Sequence, residues 1–382
     1  MTFRSCIAAF ALTTFLASAS LAQQTPAPPP TPADQNAPEA GGPGSDPNGI
    51  ALPKKKDKSE EPAAPAAPVV KNPPELANYS IHVDVPVVNV NVSVLLDKNH
   101  QFVQGLKPEN FRVLEDGVPQ RISDFRIIQA PITAVLLLEF ASNSYYFVRD
   151  MQDAAYSFAQ QLKPDDYIAV ATYDMRTRLL TDFTKDKSVV QQSLYSLQIP
   201  GMSETNEFDA LYETLDRLTK VEGHKYIILI STGRDTFSRI NLDKTLQKIR
   251  NTPDVTIFAI GTGQTARILA EGRGMGPLRE LDYLQADNQM NTFARMTGGL
   301  AFFPRFPGEM PDIFHRINDS IRNQYLISYR PTNGKNDGTY RKLKIDLVDN
   351  EGKPLRMQDE KNKPLKYSVV ARDGYKAKQQ VE

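Results

Sequence analysis

The chain predicts an α/β fold, a doubly wound, mostly parallel sheet inserted in a small β-sandwich formed by N- and C-terminal flanking strands. Three observations predict it. The runs Ala134–Glu139, Lys225–Ile230 and Val255–Gly261 are apolar almost throughout, as strands covered on both faces must be. Segments with apolar residues at helical spacing lie between them, so strand and helix alternate. Before and after this block the apolar period is two, the mark of half-buried antiparallel strands.

At 382 residues, one large domain with a smaller one is expected. Residues 1–22 read as an export signal: Arg4 supplies charge, Cys6 to Ala17 is apolar but too short to span a bilayer, and Ser20-Leu-Ala22 fits a cleavage site. Cys6 is the single cysteine, so the cleaved chain has neither disulfides nor thiolate metal sites. Residues 23–78 hold half of the 28 prolines and too little apolar surface to offset ordering entropy, which predicts a flexible linker. Residues 79–130 are β-rich. Val83, Val85 and Val87, then Val90, Val92 and Val94, alternate, and Pro86 suits an edge or bulge. Asp97-Lys-Asn99 is a turn, and Phe111–Glu115 a strand ended by the hairpin signal Asp116-Gly117. Arg121–Ile128 returns. So few strands do not stand alone.

Residues 131–323 form the α/β segment. After strand Ala134–Glu139, a helix over Phe147–Leu162 carries Met151, Ala155, Phe158 and Leu162 on one face. Strand Tyr167–Tyr173, edge strand Arg178–Leu180, and helices Ser188–Leu197 and Glu207–Leu218 follow. Helix Leu242–Arg250 links the two later apolar strands. Gln264–Glu280, rich in Gly and carrying Arg267, Arg273 and Arg279, reads as an inserted loop, either a basic lip or a decoration. Helix Asp287–Met296, strand Leu300–Phe303 and helix Met310–Asn323 complete the segment. Residues 324–376 return to period two, with strands Tyr325–Tyr329, Tyr340–Leu347 and Tyr367–Ala371 and a turn at Asn333-Gly334, before a tail over 377–382.

Several chemistries lack support. Acidic and basic residues balance at 45 each, leaving no basic field for nucleic acid, and Lys54-Lys-Lys56 is followed at once by Glu60 and Glu61. No run beyond the signal is long enough to span a membrane. His82, His100, His224 and His315 are scattered without ligand spacing, and His224 reads as a surface or edge residue. There is no Gly-x-Ser-x-Gly elbow, and Gly272-x-Gly274-x-Gly276 lacks the strand before and helix after that a phosphate loop needs. Asp165-Asp166 reads as a helix-to-strand turn, not as paired acids.

In an open α/β sheet, ligands bind outside the carboxyl ends of the strands. Three segments fall there: Glu139 to Ser144, Thr205 with Asp209, and Thr232 to Asp235. Acids and hydroxyls are hard oxygen donors, suited to a hard cation such as magnesium. Ser142 and Ser144 serve equally well as caps of the next helix. Of the aromatics around the first loop, Tyr145 and Tyr146 are candidates for an exposed contact surface, and Phe147 for packing beneath the helix.

The stretches Val113–Gly117, Thr133–Glu139, Asp165–Val170, Thr205 with Asp209-Ala-Leu211, Ile257–Gly261 and Thr297–Phe302 have a recognisable order and spacing, continued by Tyr325–Tyr329 and Arg372–Tyr375. Together they resemble the von Willebrand factor A domain, and in particular a group of bacterial secreted proteins of acidobacterial type in which that domain sits between short β segments. The resemblance covers roughly residues 80–376. It implies a Rossmann-like core that binds a protein partner through a metal-ion-dependent adhesion site, with an Asp-x-Ser-x-Ser loop, a Thr, and an Asp before Gly. Carried over, it places candidate ligands at Glu139, Ser142, Ser144, Thr205, Thr232 and Asp235, and partner contacts at Asn143, Tyr145, Tyr146, Glu204 and Asn206.

The chain departs from that pattern. Glu139 replaces the first Asp. In strict register the serines become Ala141 and Asn143, so Ser142 and Ser144 fit only with a one-residue bulge. Thr232 stands where the third-loop Asp belongs, with Asp235 three residues on. Unit charges a few ångströms apart interact by roughly 4 kcal/mol at an effective dielectric near 20, so one lost carboxylate weakens a cation site greatly. The expectation is a degenerate site, with Mg2+, Ca2+ or Mn2+ bound weakly or not at all, and loops that present a polar face to a protein partner without catalysis. The alternative is a structural or assembly component of the cell envelope acting without metal. Either would be exported, to the periplasm or beyond; the sequence specifies neither the partner nor the oligomeric state.

Overall fold

The computed structural model describes residues 87–378, apart from 129–130, 142–147, 198–199, 263, 265–267 and 269–276. The expected strand residues Val83 and Val85 and the whole of residues 1–78 lie outside the described residues.

The chain begins with β1 (Val88–Leu96), β2 (Phe111–Glu115), β3 (Val118–Gln120) and β4 (Ile122–Ile127). In β1, Val90, Val92 and Val94 are fully buried, as the period-two pattern requires. Asp116 and Gly117 both have positive φ, 48° and 84°, the geometry of the tight turn between β2 and β3. The central sheet then takes β5 (Thr133–Glu139), β6 (Tyr167–Tyr173), β7 (Thr177–Thr184), β8 (Lys225–Ser231), β9 (Val255–Gly261) and β10 (Ala301–Phe302). Their order is β10-β9-β8-β5-β6-β7, parallel throughout except that β7 runs antiparallel to β6. From β5 the chain works outward to β7, crosses back to β8 on the other side of β5, and works outward again. The order therefore reverses between β5 and β8, which is where an open α/β sheet leaves a crevice for ligands.

Six helices join these strands among the described residues: α1 (Val148–Gln161), α2 (Lys187–Tyr195), α3 (Glu207–Leu218), α4 (Leu242–Arg250), α5 (Pro277–Thr297) and α6 (Met310–Arg322). One sheet face, with Leu136, Leu138, Ile228, Ile230 and Phe258, packs on Phe158 of α1 and Phe314 of α6. The other, with Val135, Leu137, Ile227, Leu229 and Ile257, packs on Leu211 of α3, Ile249 of α4 and Phe293 of α5. Alternate residues of the same strands supply the two cores, which is why those strands read as continuous apolar runs.

After α6 come β11 (Tyr325–Tyr329), β12 (Tyr340–Leu347), β13 (Met357–Gln358), β14 (Pro364–Leu365), β15 (Tyr367–Ala371) and β16 (Gly374–Lys376). Two antiparallel sheets, β15-β1-β11-β4 and β16-β12-β2-β3, each combine strands from before and after the α/β segment. They share one core of Val90, Val92, Val94, Phe111, Val113, Tyr325, Ile327, Tyr329 and Ile345.

Four expectations differ from the structure. Helix α5 starts at Pro277, inside the segment read as an inserted loop; proline is tolerated at the first helical position, and the exposure of Leu281 and Leu284 hid any apolar face. The turn expected at Asn333-Gly334 is open chain instead, within a connection that crosses between sheets, since β11 and β12 belong to different ones. The short strands β13, β14 and β16 went unread. His224 is half-buried, not a surface residue: its Nε2 lies 2.9 Å from the Thr256 hydroxyl, and burial with the nearby Arg372 pushes its pKa down to about 3. Asp166, in contrast, is the turn residue expected, and it is buried. It accepts the Ile132 and Lys163 N–H groups at 2.7 and 2.6 Å and pairs with Arg322.

Candidate functional site

Glu139 ends β5 and Ser231 ends β8, so the reversal of strand order sets them side by side at the carboxyl edge of the sheet. Glu139 is 1 % exposed. Its carboxylate accepts the Thr232 N–H at 2.6 Å, the Thr232 hydroxyl at 2.9 and 3.1 Å, and the Ser231 hydroxyl at 2.9 Å. The two departures from the adhesion-site pattern are thus complementary in space. The extra methylene of Glu139 carries its carboxylate to the hydroxyl that Thr232 supplies in place of a second acid. Burial raises the pKa of Glu139, while the Thr232 and Ser231 hydrogen bonds and the charge of Arg234 pull it back.

Ser231 joins four elements. Its Oγ accepts the Gly233 N–H at 2.8 Å, lies 2.8 Å from the Tyr173 hydroxyl at the end of β6, and makes a short contact with the Glu207 carboxyl in the first turn of α3. One hydroxyl proton cannot serve two carboxylates. The second proton belongs on Glu207, whose Oε1 has no partner among the described residues, whereas Glu139 is held as an acceptor by Thr232. Burial, with Glu139 and Asp235 as like charges, pushes the pKa of Glu207 up to about 8. Gly233 has φ 74°, and a Cβ there would lie 2.9 Å from Met290 Sδ, so glycine lets this loop press against α5.

The remaining candidate residues fall in different places. Thr205 is fully buried at the same edge; its hydroxyl donates to the Arg234 carbonyl at 2.5 Å, and its own carbonyl accepts the Thr236 and Phe237 N–H groups at 3.0 and 2.9 Å. Asp235 caps α3, accepting the Phe208 N–H at 3.1 Å and the Ser238 hydroxyl at 2.5 Å. Asp209 holds the same loop by accepting the Arg239 and Ile240 N–H groups. Glu204 is exposed, as a contact residue must be. Asn206 is buried instead: its amide donates to the Met175 carbonyl at 3.1 Å and its N–H to the Asp174 carbonyl at 2.8 Å. Ser142, Asn143, Ser144, Tyr145 and Tyr146 lie outside the described residues.

These contacts bear on a divalent cation. The edge joins Glu139 to Thr232 directly and holds Thr205 against Arg234 of the same loop, so each spends its oxygen on a protein partner, and Asp235 faces a helix N-terminus. Among the described residues no group of three or more His, Cys, Asp or Glu side chains is placed to hold a metal ion. Four of the six candidate ligands are thus engaged with protein partners, and the other two, Ser142 and Ser144, lie outside the described residues. Three residues of the network, Ser231, Glu207 and Tyr173, escaped the sequence reading. A serine closing a strand, a glutamate in a first helical turn and a tyrosine at a strand end each have ordinary uses.

Exposed groups stand on the segments that carry Thr205 and Arg234. Met202 is 50 % and Phe237 55 % exposed, on the segments before and after the Thr205–Arg234 contact. Arg234 is half-buried, with its guanidinium carbon 5.6 Å from the centre of the Tyr283 ring on α5. It lines an open depression of about 250 Å³ with Thr236, Asp235, Asp282, Gln285 and Gln289.

No family model matches the chain, and no curated protein matches it. Solved structures overlap it in part. Proximal thread matrix protein 1 from the mussel byssus is 13 % identical, with 51 % of this chain and 49 % of that one covered and a TM-score of 0.40. The chain thus spans about half the length of that protein. The vWF domain of the type V pili tip protein Mfa5 from Porphyromonas gingivalis is 14 % identical over 51 % of this chain and 96 % of that one, at a TM-score of 0.40. A von Willebrand factor type A structure from Catenulispora acidiphila is 10 % identical over 74 % of each chain, at 0.41. The α/β class of this chain rests on its own strand order, a parallel-rich central sheet with antiparallel sheets beside it.

Proposed function

We propose that this chain is an exported, non-enzymatic interaction module that binds a protein partner through the loops at the carboxyl edge of its central sheet. One observation carries the reading. At the reversal of strand order, Glu139 is closed onto Thr232 and Ser231, while Met202, Glu204 and Phe237 stand exposed on the neighbouring Thr205 and Arg234 segments. A buried, internally bonded floor beneath an exposed apolar and charged rim fits a contact surface better than a reaction centre. The sequence resemblance to von Willebrand factor A domains supports the same edge as the binding face, in a degenerate, cation-free form. Export rests on the signal read in residues 1–22; no helix among the described residues is long and apolar enough to cross a membrane.

The test is capture from a cell-envelope extract on immobilised full-length protein, with and without chelator. The wild type should retain a partner in both conditions. The double substitution Met202→Ala, Phe237→Ala removes exposed side chains only, so it should leave the fold intact and weaken capture about tenfold or more. Capture indifferent to that change would refute the loop edge as the binding face and favour an envelope component that assembles through another surface.

A further inference from the structure

At the amino edge of the central sheet, an open cavity of about 560 Å³ lies between the starts of β8 and β9 and the outer face of the sheet β15-β1-β11-β4. Strand register lays one row of side chains across that face. Arg126 of β4 is opposite Leu326 of β11, Leu326 is opposite Asn91 of β1, and Arg372 follows Ala371, the last paired residue of β15, beside Asn91. All four line the cavity. Arg372 is half-buried, and its backbone is packed against Gly298, where a Cβ would come 2.7 Å from the Arg372 nitrogen. Its Nε donates to the Gly374 carbonyl and its Nη1 to the Pro253 carbonyl, both at 2.7 Å, which leaves Nη2 without a partner among the described residues. No carboxylate among them is within ion-pair distance. Asp373 bonds the Tyr340 hydroxyl and pairs with Arg295, and Asp254, the one acid on the cavity lining, is exposed to solvent. Next to Arg372 the Asn91 amide nitrogen is buried, again with no partner among the described residues. A half-buried cation and a buried N–H donor left open side by side are costly unless something accepts from both. Across the cavity, the Thr256 hydroxyl donates to the Thr297 carbonyl at 3.1 Å, so the contact with His224 uses the Nε2 proton and the ring is an uncharged wall.

We propose that this cavity binds a small amphipathic organic acid, its carboxylate held by Arg372 and the Asn91 amide and its apolar body laid along Leu326 and Ile128 towards the His224 ring. The volume suits a ligand of that size. The row sets donors at one end and apolar surface beside them, so head and body are recognised by different side chains. Two arginines against one acid leave the lining with net positive charge, and the exposed Arg126, 3.7 Å from Asp124, is the screened member of the two. Such a ligand would touch the α/β segment and β-strands from both ends of the chain at once, and so brace the joint between them. The site is separate from the partner-binding loops.

Calorimetric titration of the full-length protein with hexanoate and with benzoate, against the neutral hexanamide and benzamide, tests it. One equivalent of either acid should bind at concentrations up to about 10 mM, and the amides at least about tenfold more weakly. Arg372→Gln should weaken the acids by a similar factor. Because Arg372 also holds two backbone carbonyls, Asn91→Asp separates binding from folding. It keeps the shape of the side chain and sets a carboxylate of the protein itself beside Arg372, so the acids should no longer bind while the melting temperature holds or rises. No saturable heat with either acid would mean that the cavity holds only water and would overturn the proposal. Equal binding of acids and amides, acid binding unchanged in Asn91→Asp, or a fall in the melting temperature of that variant would do the same. So would inorganic phosphate bound as tightly as hexanoate, since it has no apolar body.

Discussion

Glu139 and Thr232 each look like a defect when read alone in the sequence. Glu139 is one methylene too long for the adhesion pattern, and Thr232 lacks its charge. In space the longer acid meets the added hydroxyl, and the two close this part of the sheet edge with hydrogen bonds. That pairing was not legible in the sequence, because nothing along the chain says that positions 93 residues apart share a bond. Glu207 was hidden for a related reason, since its use depends on Ser231 across the sheet edge. It sets the pH dependence at this scale. Its folded pKa of about 8 lies above the ordinary 4.5, so the folded state keeps a proton that the unfolded chain releases. Stability from this group is therefore fully present below about pH 4.5 and is lost as pH rises through about 8. Thermal melting followed across that range should show the decline, and Glu207→Gln, which cannot titrate, should flatten most of it. Glu139, shifted the same way, contributes a slope of the same sign.

Among the elements, those with both faces covered were read to within a residue or two. Strands β5, β8 and β9 are runs that only a doubly packed sheet requires, and α3 and α4 carry clear apolar stripes. Helix α5 was half missed because its first turns bury little: Leu281 is 60 % exposed and its periodic signal is weak there. The junction of α5 with β10 shows what backbone approach alone can fix. Gly298 has φ 78°, and a Cβ on Gly299 would sit 2.0 Å from the Ile257 carbonyl oxygen in β9. Gly299→Ala should accordingly lower the free energy of unfolding by about 2 kcal/mol or more, read as a fall in the denaturant midpoint at unchanged slope. An alanine tolerated without loss would mean that β10 lies farther from β9 than described.

The whole molecule ties the two ends of the chain together. Strand β1 pairs with β11 on one side and β15 on the other, and β2 pairs with β12, so both four-stranded sheets need strands from both ends. Period-two patterning at both ends made this legible, although the crossing between sheets after β11 was not. A chain stopped at Asn323 leaves Val90, Val92 and Val94 without Tyr325, Ile327 and Tyr329 over them. It should yield no cooperative transition for the β portion; a truncated chain that melted like the full one would deny the shared core.

The central claim is that the sheet edge is closed by its own side chains where the sequence resemblance implies a cation. Manganese binding to the full-length protein, followed by the paramagnetic signal of the free ion, tests it most directly. With Glu139 held by Thr232 and Ser231, no equivalent of metal should be taken up at concentrations up to about millimolar. One equivalent bound by the wild type and released by Glu139→Gln would show that the carboxylate serves a metal after all.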